Sequence, residues 1–263
     1  KLGETGGRFH VEPKTALLML GMTDNGYSFE EAALTVAIME NSNFIRVEYP
    51  AKNNKDYMSL LVENDNLSTL CNLYRNVNTL RKIEGITIFQ TTLNLIRDKV
   101  EMLGKVRQSF FVCVKKADRP SLSIILLKTY TKDIVRSYNA NFCNRALVTT
   151  TNPFAWGIPR VIEFEGRRGK QTMEIFTTFV GISEEDVLMS GIPLETSVQL
   201  NYNWTTNTVS TEKHLQFLNK TLVSVEEFNH SKEEVEYFLN YKLNSICREY
   251  DIYNETVKEI YNL

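Results

Sequence analysis

The amino-acid sequence predicts an α+β fold: a central, mainly antiparallel sheet flanked by helices, with a helical C-terminal segment. Three observations point there. Helix caps and 3.6-residue apolar spacing dominate residues 15–104, and short β-branched and aromatic runs between turn residues dominate 105–204. Helical spacing then returns over 205–263. The 263 residues are 43% hydrophobic and 24% charged, a balance that supports a real core and argues against long disorder. With no repeat, low-complexity tract or linker, residues 15–263 read as one domain behind a Gly-containing flexible arm at 1–14.

The helix-rich part opens after the turn Asp24-Asn25-Gly26. Ser28 and Glu31 form a capping box, and Phe29, Ala32, Ala33, Val36 and Ala37 line one face of the helix behind it. Asn43 to Tyr49 reads as a strand stopped by Pro50, and Lys55 to Val62 as another. Leu67, Leu70, Cys71, Tyr74 and Val77 predict a helix over 67–81. Phe89, Leu93, Ile96, Val100 and Leu103 predict one over 89–103, stopped by Gly104.

In the strand-rich part, Val106–Lys115 and Ser121–Lys128 are apolar runs joined by a loop at Ala117-Asp118-Arg119-Pro120. A short helix from Thr131 turns Ile134, Val135 and Tyr138 inward. Strands follow at Ala146–Thr150, Arg160–Glu165 and Gln171–Val180, the last two joined by Gly166-Arg167-Arg168-Gly169. A helix at Ser183–Ser190 ends in Gly191, and Thr196–Trp204 is the last expected strand. From Thr211 the chain reads as helical, with a second capping box at Ser231 and Glu234.

Several function classes fall away. No apolar run approaches the ~18 residues of a bilayer-spanning helix, so no membrane partner is expected. The four cysteines, Cys71, Cys113, Cys143 and Cys247, form no Cys-x-x-Cys pair; a reducing intracellular compartment, cytoplasmic or nuclear, is the expectation. Five Asn-x-Ser/Thr sequons, at Asn66, Asn203, Asn219, Asn229 and Asn254, are close to what the Asn, Ser and Thr content produces by chance. The same Asn abundance suits an AT-rich genome of viral, phage or low-GC bacterial type. His10, His214 and His230 are far apart, and no zinc-protease, nucleophile-elbow or dinucleotide-binding motif is present. No cofactor, metal site or catalytic residue is expected, and the chain reads as a binding protein rather than an enzyme.

Charge is the informative feature. Residues 75–172 carry 18 Lys and Arg against 7 Asp and Glu, a net of +11, whereas 183–263 carry 6 against 14, a net of −8. A basic surface of this size attracts nucleic-acid phosphates. The Gly-Arg-Arg-Gly-Lys turn sets two guanidiniums at a hairpin tip, where their forks suit phosphate. Arg167, Arg168, Lys170, Lys115, Lys116 and Arg119 are therefore the candidate nucleic-acid-binding residues. The competing reading neutralises the basic region against the acidic one, within the fold or between subunits, and pairs Arg167 and Arg168 with Glu163, Glu165 or Glu174.

Three further patterns carry expectations. Glu163 and Glu165 share a strand face near Lys170, a loose imitation of a Mg²⁺-dependent nuclease site. Phe110, Phe111, Tyr202 and Trp204 can stack on bases or fill the core. Leu239, Leu243, Ile246, Tyr250, Tyr253, Val257 and Ile260 follow a 4-3 spacing. That seam suits a protein partner or a second copy of the chain, or else the chain's own core.

Overall fold

Pro13 and Ser28 set the first two helices. Proline at the start of α1 (Pro13–Asp24) gives up an N–H that has no partner there anyway. Ser28 Oγ accepts from Glu31 N and Glu31 Oε2 accepts from Ser28 N, closing the predicted capping box of α2 (Phe29–Glu40). The computed structural model describes residues 12–106, 118–142, 147–166, 169–203, 208–228, 235–237 and 239–241. Its folding pattern is α+β, with antiparallel sheets flanked by helices. The chain divides into two compact units, residues 1–192 and 193–263.

The first unit is organised around α2, which is buried from Ala32 to Ile38 and touches three other helices. These are α1, α4 (Asn66–Arg75) and α6 (Gln90–Val106). Between them lie β1 (Ile45–Val47), α3 (Lys55–Met58), α5 (Val77–Leu80) and β2 (Ile86–Ile88). β1 and β2 form an antiparallel ribbon with Arg46 opposite Thr87. Next come α7 (Leu122–Thr129), β3 (Ile134–Arg136), β4 (Phe154–Gly166), β5 (Gly169–Ile182) and α8 (Glu184–Ser190). β3, β4 and β5 make one antiparallel sheet. In the second unit β6 (Glu195–Asn203), β7 (Thr208–Phe217) and β8 (Lys220–Phe228) make another, and residues 235–237 and 239–241 are helical.

Some elements differ from expectation, each for a local reason. Ser121–Lys128 is not a strand but the helix α7, buried from Leu122 to Leu127. An apolar run without periodicity fits a helix enclosed on all sides as well as a strand, and here helices and strands surround it. Lys55–Val62 gives the single-turn helix α3, because Asn54 Oδ1 caps the N–H groups of Asp56 and Tyr57. The predicted helix over 67–81 breaks at Asn76 into α4 and α5. Thr131–Asn139 holds strand β3 between two 3-10 turns, and Tyr138 is exposed rather than inward. α6 runs through Gly104, a residue with open space around it.

The largest difference lies after Thr211. There the chain forms the β7–β8 hairpin instead of a helix, turning at Leu218 and Asn219 with φ of 49° and 61°. Positive φ at both positions is the two-residue turn whose twist matches paired strands. Residues 147–150 of the expected strand Ala146–Thr150 are not extended into a sheet, and most of Val106–Lys115 lies outside the described residues.

Candidate nucleic-acid interface

The β4–β5 hairpin splits into a packed base and a projecting arm. At the base, Phe154 to Gly157 and Ile175 to Ile182 are almost all buried. A bulge at Ile158/Pro159 shifts the register. Beyond it the ribbon alternates two faces out to Gly166 and Gly169. Arg160, Ile162 and Phe164 pair with Ile175, Met173 and Gln171 on one face. Val161, Glu163 and Glu165 pair with Glu174, Thr172 and Lys170 on the other.

The first of those faces forms one wall of a half-open groove of about 1350 Å³ within the first unit. Arg160, Ile162, Ile175 and Thr177 come from the hairpin. Ile45, Arg46, Val47 and Glu48 come from β1 and the residue after it, and Lys52 from the following turn. Phe89, Gln90, Thr91 and Thr92 come from the start of α6, while Asn66 and Leu70 come from α4. The β1–β2 ribbon is held against the turn by Gly85, whose φ is 85° and whose added Cβ would meet Glu48 O at 2.9 Å. The entry to α6 is fixed by Phe89 N donating to Phe44 O at 2.8 Å, and Phe89 is 43% exposed. Gln90 Oε1 accepts from Arg81, and Gln90 Nε2 donates to Asn94 at 2.8 Å.

Among the described residues, three cations and one carboxylate line this groove. Arg46 pairs with Glu48 at 2.5 Å, but both side chains are more than half exposed, so the pair is weak and exchangeable. Among the described residues, Lys52 and Arg160 have no ion-pair partner, and both are exposed. Cations, amides, hydroxyls and an exposed ring on one concave surface suit a ligand that is both anionic and partly apolar.

The sequence-selected residues have varied positions. Lys170 is exposed at the arm's end, directly opposite Glu165. Arg167, Arg168, Lys115 and Lys116 lie outside the described residues. Arg119 is engaged within the fold: its guanidinium donates to both Glu31 oxygens at 3.0 and 3.2 Å and lies over the Tyr27 ring, 4.3 Å from the centroid. Glu31, drawn up by partial burial, is held lower still by the Ser28 N–H and the Arg119 guanidinium, so its carboxyl lies below the ordinary range. Lys99 is matched by Glu40 at 3.0 Å. The described partners of these two cations both lie on α2.

Glu163 faces Thr172 across the ladder, and no group of three His, Cys, Asp or Glu among the described residues could hold a metal. Of the histidines, His214 lies on β7 with Nδ1 2.9 Å from Ser224 Oγ and Nε2 3.8 Å from Glu212. His10 and His230 are outside the described residues. Of the seam, Leu239 is half-buried in a helical segment. Leu243, Ile246, Tyr250, Tyr253, Val257 and Ile260 lie outside the described residues, as do Phe110, Phe111 and the side chains of Tyr202 and Trp204. Asn66 is 2% exposed and its Oδ1 accepts from Leu147 N at 3.1 Å, so its sequon is structural. No helix among the described residues is long and apolar enough to cross a membrane.

Arg46, Lys52 and Phe89 were not singled out by the sequence. Arg46 and Lys52 precede the basic span, and only the ribbon and the hairpin bring them to the same groove as Arg160. Phe89 counted as part of a helix's apolar stripe, but it sits at that helix's entry, where it is exposed and lines the groove.

No protein-family model and no curated protein matches the chain. Among solved structures it is similar to a crystal structure of the E. coli DExH-box NTPase HrpB, at a TM-score of 0.43 and 14% identity. It is similar also to one of the Escherichia coli DEAH/RHA helicase HrpB, at 0.38 and 13%. Each likeness covers 89% of this chain and 25% of the other, so the chain spans about a quarter of those proteins. Likenesses this distant carry nothing about activity.

Proposed function

We propose that this protein binds nucleic acid, contacting backbone phosphates through the groove between the β1–β2 ribbon and the β4–β5 arm. The observation that carries the reading is the groove's charge: among the described residues, Arg46, Lys52 and Arg160 against the single carboxylate of Glu48. Each cation that meets a phosphate releases condensed counterions, so such binding weakens steeply with salt. Lys170 at the arm's end, with Arg167 and Arg168 beside it in the sequence and Lys115 and Lys116 in the same basic span, extends the phosphate-binding set. Arg119 is left out of that set because Glu31 already holds it.

The test is fluorescence anisotropy of labelled RNA and DNA oligonucleotides across a salt series. Arg46→Glu, Lys52→Glu and Arg160→Glu together should weaken binding and lower the slope of log K against log salt by roughly 2 to 3, at about 0.7–0.9 per lost phosphate contact. Affinity that ignores salt, or that survives the triple reversal, overturns the reading.

A further inference from the structure

We propose that the groove accepts an unpaired nucleic-acid strand and excludes duplex, with at least one base stacked on the exposed face of Phe89. The inference rests on the nucleic-acid reading above and deepens it. Four features of the molecule lead to it.

The first is concavity. A duplex is read by an element that projects into its grooves, whereas here the cations line a recess half enclosed by two β-ribbons and the start of α6. The second is size. At about 1350 Å³ the groove exceeds the roughly 300–1,000 Å³ of small-molecule pockets, which suits a polymer segment of more than one unit. The third is the pairing of charge with apolar surface. Ile45, Val47, Ile88 and Ile162 lie among Arg46, Lys52 and Arg160, and Phe89, 43% exposed, lines the same groove. Proteins that hold unpaired strands combine a cationic track for the backbone with rings on which bases stack. Beyond the groove, Phe164 continues the Arg160–Ile162 row along β4 at 40% exposure, a second apolar platform on the same face.

The fourth concerns the element beside the groove that has the shape to enter a duplex. The β4–β5 arm is a two-stranded ribbon, a shape the major groove admits. Among the described residues its outward row carries Glu163, Glu165 and Glu174 along the shaft, with Lys170 only at the end, so the shaft opposes approach to phosphates. The apolar row with Arg160 faces the groove instead. The shaft of the arm therefore serves as a wall of the groove.

Anisotropy with the full chain tests this, using three labelled probes of equal length at one salt concentration: an unstructured single strand, the corresponding duplex, and a single strand with abasic positions. The single strand should bind at least tenfold tighter than the duplex and measurably tighter than the abasic strand. Phe89→Ala should weaken the base-bearing strand about tenfold or more while leaving the abasic strand unchanged, and Phe89→Tyr should restore binding. Duplex binding as tight as single-strand binding, still dependent on Arg46, Lys52 and Arg160, would sink this inference and leave the nucleic-acid reading standing. Equal affinity for base-bearing and abasic strands would sink the stacking role without needing any variant. Binding to none of the three probes removes both.

Discussion

Burial sets the behaviour of Asp65. Desolvation pushes its carboxyl above the ordinary range, although Ser68 N donates to it at 2.7 Å as the cap of α4. A raised folded value means the folded state releases its proton later than the unfolded one. The penalty therefore builds as pH rises from the ordinary carboxylate range to the folded value and is complete above it. Asparagine caps as well and carries no charge, so Asp65→Asn should raise Tm at pH 7, the gain fading as pH falls toward about 4. Glu31 has the opposite sign. Its lowered value contributes stability above the ordinary range that is lost as pH falls through the folded value. Glu31→Gln should thus lower Tm at neutral pH and lose that effect in acid. Gly157 answers to packing alone: a Cβ there would sit 2.6 Å from the Phe176 ring. Gly157→Ala should cost about 1–3 kcal/mol in chemical denaturation.

Elements were legible where a local signal names its own structure. The capping box at Ser28 and the left-handed Gly191, with φ of 68°, each specify one end of a helix without reference to anything distant. β4, β5 and β6 were legible from alternation and bounding turns. α7 was not, because Leu122 to Leu127 is apolar at every position save Ser123, and only neighbours on all sides reveal a helix. Gly21 lets one of those neighbours close in, since its added Cβ would come within 3.2 Å of Ile125. Ile125→Ala should accordingly cost about 2–5 kcal/mol, read from urea unfolding. The β7–β8 hairpin escaped notice because its turn uses Leu218 rather than glycine at a positive φ. Replacing Leu218 by glycine should leave the hairpin intact or stabilise it slightly.

At the scale of the molecule, the described residues that line the groove all belong to residues 1–192. That segment expressed alone should unfold cooperatively and keep the salt-dependent affinity of the full chain; loss of both would show that the second unit is needed. The sequence by itself determined the α+β class, the capped helices, the long central hairpin and the excess of cations in the middle third. These follow from periodicity, turn chemistry and charge, which act between residues close in the chain. The tertiary structure alone decided which charges share a surface. It bound Arg119 and Lys99 to α2 and gathered Arg46, Lys52, Phe89 and Arg160 from segments up to 114 positions apart in the chain (46 to 160). Electrostatics and stacking depend on distance in space, and a count along the chain averages over that distance.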